Sequence, residues 1–81
     1  MRNREEMELD VLKAFSEGAE RKTRAMRTAN INGSAGDEIL SDLMDQGYVR
    51  RVLRKLKGIK GIVVLYELTY EGKEHLEALK R

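Results

Sequence analysis

Charged side chains are the groups in this sequence that could do chemistry, and they occur in blocks of one sign. Residues 21–29 carry four cations and no acid, and residues 50–66 carry six cations and no acid. Residues 30–49, between them, carry four acids and no cation. If the fold brought the two basic blocks to one face, that face would attract a polyanion although the net charge is only +2. Charge alone leaves equally open the alternative that the blocks are solvated faces paired with the acids.

Catalytic and metal-binding groups are sparse. His75 is the only histidine, and the chain has no cysteine. One histidine without clustered partner ligands forms neither a metal site nor a catalytic triad, so we expect it at the surface or half-buried. No glycine-rich loop of the kind that cradles phosphates follows a strand. The sequence therefore predicts a protein that is not an enzyme and that needs no cofactor.

Length and composition favour a single domain over residues 1–81. A chain of this size buries only about two thirds of the surface that its unfolded form exposes, so its margin of stability is small. No apolar run approaches the ~20 residues of a membrane span, and the first ten residues are too charged for a secretory signal. We therefore expect a cytoplasmic protein with no membrane partner.

Two helices separated by a short break lie at the centre of the sequence. Apolar residues at helical spacing predict them over Arg24 to Ala29 and over Ala35 to Gln46. The Thr23 hydroxyl is placed to cap the first helix, and Asn32 or Ser34 is placed to cap the second. Many DNA-binding domains use such a helix, turn and helix to present the second helix to the major groove.

An amphipathic helix precedes this pair. Its apolar face runs from Glu5 to Glu17, and Gly18 ends it. Gly47 likewise follows the third helix, where a left-handed backbone costs glycine little. We expect the apolar faces of the three helices to form one core, with these residues in contact: Leu12, Phe15, Met26, Leu40 and Leu43.

From Tyr48 onward the apolar period changes from that of a helix to that of strands. Val49 to Lys57 and Ile62 to Leu68 are rich in β-branched and apolar residues, and the turn 58–61 between them contains two glycines, which predicts a β-hairpin. Thr69 then caps a final helix, Tyr70 to Lys80.

The second strand and the last helix each have an expected inward face. Val64, Tyr66 and Leu68 alternate along the strand and should face the core. In the helix we expect Leu76 and Leu79 to point inward.

Three segments carry a resemblance to a known family: KTRAMRTANI, ILSDLMDQGYV and YELTYEGKEHLEALK. They are similar to segments of the small archaeal and archaeal-virus winged-helix DNA-binding proteins, which include the ten-kilodalton chromatin-associated proteins of crenarchaea. The shared pattern is a basic TRxM stretch followed by AN, an apolar helix ending in leucine and glycine, and a tyrosine-containing strand leading into TxxGK. The resemblance covers about residues 10–79.

This resemblance implies an α+β fold, a winged helix-turn-helix with a three-helix core, a two-stranded basic β-hairpin wing and a C-terminal helix. It implies dimeric, sequence-tolerant or regulatory binding of double-stranded DNA, with the third helix in the major groove and the wing on the backbone or minor groove. The chain departs from the family in two ways. Gly36, Asp37 and Glu38 stand where relatives place apolar or basic residues, and the residues after Tyr70 are too few for the long dimerising helix of some relatives.

We therefore predict a DNA-binding protein, either a transcriptional regulator or a chromatin-associated protein of the nucleoid. Phosphate contacts should contribute most of the affinity, because the four acids of the third helix repel the DNA backbone. The predicted contact residues lie in the two basic blocks and at the polar start of the third helix: Lys22, Arg24, Arg27, Asn32, Ser34, Arg50, Arg51, Arg54, Lys55, Lys57 and Lys60.

Protein partners are predicted at two surfaces. A homodimer is expected because Val63 and Leu65 lie on the second face of the hairpin, and because Met7 and Leu9 begin a helix that so small a domain covers incompletely. The alternative function, from a different class, is a docking module in which the acidic third helix binds a basic protein partner.

Overall fold

The computed structural model describes residues 2–81, which form four helices and one two-stranded antiparallel sheet. This arrangement confirms the predicted α+β class, with a three-helix core, a β-hairpin and a C-terminal helix. The elements in chain order are α1 Arg4–Ala14, α2 Lys22–Ala29, α3 Gly33–Asp45, β1 Val49–Arg54, β2 Val63–Leu68 and α4 Tyr70–Leu79.

One apolar core joins the helices to the base of the hairpin. The residues predicted for its centre all belong to it, and none is more than 5% exposed: Leu12, Phe15, Met26, Leu40 and Leu43. Val49 and Leu68, which pair at the base of the hairpin, and Leu76 of α4 complete it. The predicted facing of α1, α2 and α3 is therefore confirmed.

The first helix is shorter than predicted. α1 ends at Ala14 rather than at Glu17, because the chain turns over the next residues. The amides of Ser16 and Gly18 donate to carbonyls three residues earlier, and Gly18 has a φ of +136° that suits only glycine well. Gly18 therefore ends the turn that follows α1 rather than the helix itself.

The prediction that Thr23 caps α2 is wrong. The helix begins at Lys22, its N-cap is Arg21, and no side chain accepts a hydrogen bond there. The start is set instead by a contact distant in sequence, because Glu20 and Tyr66 exchange two backbone hydrogen bonds of 2.8 and 2.9 Å. This short bridge fastens the chain before α2 to the outer edge of β2.

Asparagines close the turn between α2 and α3 as predicted, but α3 begins at Gly33 rather than at Ala35. Asn30 ends α2 in the left-handed region, with a φ of 57°, which asparagine tolerates. The Asn32 side chain accepts a hydrogen bond from the Ala35 amide at 3.0 Å, so Asn32 rather than Ser34 is the N-cap of α3. Gly47, with a φ of +81°, follows α3.

The paired part of the hairpin is shorter than predicted. β1 ends at Arg54, which pairs with Val63, so the connection comprises residues 55–62. Val64 shares a face with the buried Leu68 but is 42% exposed, because the hairpin has left the core at that point.

The last helix is capped as predicted but faces the core over only part of its length. The Thr69 side chain accepts a hydrogen bond from the Gly72 amide at 3.0 Å and caps α4. Leu76 is buried, whereas Leu79 is 38% exposed, so the prediction that Leu79 points inward is wrong. The helix passes the edge of the core before its last turn.

Candidate nucleic-acid interface

The cations of α2 line an open cleft between that helix and the hairpin. The cleft has a volume of about 780 Å³, with Arg21, Arg24 and Arg27 on one side and Leu56 and Leu65 on the other. Glu20 also lines the cleft, and its carboxylate lies 3.7 Å from the Arg24 guanidinium. The fold therefore places the first basic block beside the hairpin that carries the second, and this proximity favours attraction of a polyanion.

A second cleft continues this surface toward α3. Lys22, Thr23, Arg27, Gly33 and other residues line it, and Arg27 belongs to both clefts. Arg27 therefore lies where the cationic face of α2 meets the first turn of α3. The first amides of a helix have no intrahelical acceptor, so this turn is suited to a phosphate oxygen.

Arg21 was not predicted as a contact residue, yet it lines the α2 cleft. The sequence contains a signal for it, because Arg21, Arg24 and Arg27 recur at intervals of three residues. In the structure Arg21 is the N-cap residue of the helix and extends its cationic side by one position.

Three of the four carboxylates of α3 are bound by cations from other helices. Arg4 of α1 donates hydrogen bonds to Glu38, at 3.3 Å, and to Asp42. Lys22 of α2 lies 2.7 Å from Asp37, and the hydrogen bond to that carboxylate, with its charge, raises the pKa of Lys22 above its ordinary value. Two cations thus offset part of the negative charge that is expected to repel DNA.

The outward side of α3 carries serines and acids. The inward side consists of Gly36, Ile39, Leu40 and Leu43, which are buried. With 3.6 residues per turn, the opposite side passes through four exposed residues: Ser34, Glu38, Ser41 and Asp45. Such a surface offers few groups that donate to base edges, and its acids repel a phosphate backbone except where cations offset them. The oxygen of Asn32, a predicted contact, is already used in the cap.

The cations of the paired strands lie on both faces of the hairpin. Directly opposed residues of an antiparallel pair share a face, so Arg50 and Arg54 lie on one face and Arg51 on the other. Arg50 is bound to Glu67 across the ladder at 2.8 Å. Arg51 and Arg54 are exposed and form no ion pair within residues 2–81.

The remaining predicted cations lie in the connection between the strands. Lys55, Lys57 and Lys60 are all exposed there, beyond the last strand pair. Of the hairpin cations, they lie farthest from the core along the hairpin. We call residues 55–62 the wing tip.

His75 packs against an aromatic ring rather than forming a site. It is half-buried, as predicted, and its ring stacks on Tyr48 with centroids 4.2 Å apart and planes 6° from parallel. Within residues 2–81 no group of three His, Cys, Asp or Glu side chains is arranged to hold a metal. No helix in the described part of the chain is long and apolar enough to cross a membrane.

Comparison with known proteins places this geometry in context. A protein-family model described as winged helix-turn-helix matches residues 1–81. No curated protein matches the sequence. Among solved structures, a PadR family transcription regulator from Clostridium difficile is similar with a TM-score of 0.80 at 14% identity, over 91% of this chain and 82% of that chain.

Two structures from Sulfolobus solfataricus are also similar. Sso10a-2, a DNA-binding protein, has a TM-score of 0.71 at 24% identity, over 98% of this chain and 79% of that chain. The transcriptional regulator BldR has a TM-score of 0.72 at 25% identity, over 89% of this chain and 50% of its own length. This chain therefore spans about half of BldR.

Proposed function

Because the chain belongs to the winged helix-turn-helix family, we propose that it is a DNA-binding transcriptional regulator that holds duplex DNA mainly by its phosphates. The observation that carries this proposal is that the cationic face of α2 adjoins the acid-free basic hairpin. Arg21, Arg24 and Arg27 face the hairpin across the α2 cleft, and six cations without an acid occupy residues 50–66. Such a cationic surface is complementary in charge to a DNA backbone.

Each element has a distinct role in this binding mode. The start of α3 enters the major groove, where Ser34 and the first amides of the helix contact phosphate. The α2 cations, with Arg27 lining both clefts, bind the phosphates that flank that groove. The wing follows the backbone to the adjacent minor groove, where Arg54 and Lys55 make the main contacts.

The outward face of α3 also supports a sequence-tolerant form of the same activity, as in a chromatin-associated protein of the cytoplasmic nucleoid. Short side chains such as Ser34 and Ser41 make few bidentate contacts with base edges. A docking module that uses the acids of α3 has less support. Arg4 and Lys22 already bind the carboxylates of Glu38, Asp42 and Asp37, which lowers the charge available to a basic partner.

Fluorescence anisotropy with a labelled duplex of random sequence, at several salt concentrations, tests the proposal. With about five phosphates contacted, log affinity should fall against log salt with a slope of about −4 to −5. Replacing Arg21, Arg24 and Arg27 by alanine should flatten that slope. The control replaces Lys73 and Lys80 of α4, which lie outside both clefts, and should leave it unchanged. Absence of binding even at low salt would refute DNA binding and favour the docking module.

A further inference from the structure

The wing tip is apolar as well as basic. Ile62 is 66% exposed and Ile59 is 39% exposed, so both present branched aliphatic side chains to water. Leu53 and Val64, paired on the strands just before the tip, are 62% and 42% exposed. Grouped apolar side chains that no part of the fold covers mark a contact surface.

A tight turn and a bend flank Ile59 at the tip. The Ile59 amide donates to the Leu56 carbonyl at 3.2 Å, which closes a β-turn with Gly58 at its third position and a φ of +84°. Positive φ at that position is the signature of a type II turn, for which glycine is suited. Gly61 has the same φ of +84°, so Ile59 and Lys60 lie between two residues without side chains.

Charge decides what can cover this surface. A second wing packed on the first would bring together two segments that each carry six cations and no acid over residues 50–66, which disfavours a dimer at this site. The occupant must be anionic and must also offer apolar surface. The DNA minor groove meets both requirements, because phosphates border it and apolar side chains can enter between its stacked base pairs.

We propose that the wing tip is an apolar wedge, in which Ile59 and Ile62 enter the minor groove at a base step and kink the duplex. Lys57 and Lys60 contact the phosphates on either side. Side chains that act in this way kink DNA by about 20–90° toward the major groove. The wedge rests on the proposed function, since it requires that the protein bind duplex DNA. It adds a deformation of the DNA that phosphate contacts alone do not produce.

Energy transfer between fluorophores at the two ends of a short duplex measures the kink directly. Saturation with the unaltered protein should raise the transfer, because bending brings the ends together. The double variant Ile59→Ala, Ile62→Ala should leave the transfer close to that of free DNA at saturation. The control is Tyr70→Ala, which removes a large and even more exposed hydrophobic side chain (73%) from α4 and should keep the full kink.

Salt dependence separates the apolar contribution from the ionic one. The double isoleucine variant should bind about tenfold more weakly at every salt concentration with an unchanged slope, because burial of apolar surface releases no counterions. Lys57→Ala with Lys60→Ala should flatten the slope by up to ~2 and still kink the duplex at saturation. Both pairs lie in an exposed connection, and circular dichroism should show the fold intact.

Three results would overturn the wedge. If the unaltered protein binds with a steep salt slope but does not bend the duplex, DNA binding stands and the wedge fails. If the double isoleucine variant still kinks the duplex fully, DNA binding likewise stands and the wedge fails. The tip serves a lipid surface instead if three results occur together. Anionic vesicles of phosphatidylglycerol would bind the protein, the isoleucine variant would lose that binding, and the duplex would stay straight. Failure to bind DNA at low salt removes the proposed function itself.

Discussion

The backbone of Tyr48 occupies the space that a side chain at Gly72 would need: a Cβ at position 72 would lie 2.0 Å from the Tyr48 carbonyl oxygen. The same oxygen accepts a hydrogen bond from the Thr69 amide at 3.0 Å. Together these contacts hold the first turn of α4 against the residue before β1. The glycine of the TxxGK segment is therefore required by a close approach of two backbones.

Replacing Gly72 by alanine should lower the free energy of unfolding by about 3 kcal/mol or more, because a backbone atom cannot move aside as a flexible side chain can. Urea denaturation followed by circular dichroism measures this. Gly33→Ala is the control, since a Cβ added at position 33 of α3 would meet no other atom within 4 Å. It should be neutral or slightly stabilising. Equal stability of the two variants would contradict the close contact.

Truncation of Leu43 tests the facing of α3. Leu43 is 1% exposed in the core, so Leu43→Ala should destabilise the protein by roughly 2–5 kcal/mol, a large share of what so small a domain has. Asp45→Ala, two residues further on the exposed side, should be nearly neutral. Thermal melts that ranked the two variants in the opposite order would show that α3 is turned differently.

The wing should set the salt dependence of DNA affinity. Arg54→Ala with Lys55→Ala should weaken binding to all duplexes by similar factors and flatten the slope of log affinity against log salt by up to ~2. The control pair on α4, Lys73→Ala with Lys80→Ala, removes the same charge elsewhere. A loss confined to one DNA sequence would indicate that these residues read bases instead.

Arg4 should support DNA binding without contacting DNA. Arg4→Ala leaves Glu38 and Asp42 without their cation on α3, and we expect about fivefold weaker binding at low salt because these carboxylates then repel phosphate. Adding Glu38→Gln and Asp42→Asn to this variant should restore affinity, and Asp42→Asn alone should strengthen it. Anisotropy titrations measure all four proteins. If Glu38→Gln with Asp42→Asn failed to restore the affinity lost in Arg4→Ala, Arg4 would be a direct phosphate contact.

The homodimer remains a prediction, and the structure changes which residues support it. Of the four residues on which the homodimer was predicted, Met7 and Leu9 pack against the core, and Leu65 lines the α2 cleft. Val63 has neither of these roles. Sedimentation at micromolar concentration should give about twice the 9.3 kDa mass of the chain. Val63→Ser tests whether the hairpin forms the interface despite the repulsion between its cations. A monomer at all concentrations contradicts the prediction.

Features that depend on near neighbours in the chain could be predicted from the sequence. Asn32 and Thr69 cap their helices through hydrogen bonds to amides three residues on, at 3.0 Å in both cases. Gly47 takes the positive φ expected after α3. Apolar periodicity placed Leu12 and Leu43 in the core, because a helix or strand fixes the direction of each side chain by its position. The order of elements and the blocks of charge follow from the same local information.

Tertiary structure alone decided which distant residues meet. The start of α2 depends on the pairing of Glu20 with Tyr66, so Thr23 lies inside the helix rather than at its cap. The acids of α3 are bound by Arg4 from another helix, which charge order along the chain does not reveal. These contacts join residues 34 to 46 positions apart, and no local propensity encodes them. They form because packing of the common core brings α1, α3 and the hairpin to fixed relative positions, and only then do these polar partners come within hydrogen-bonding distance.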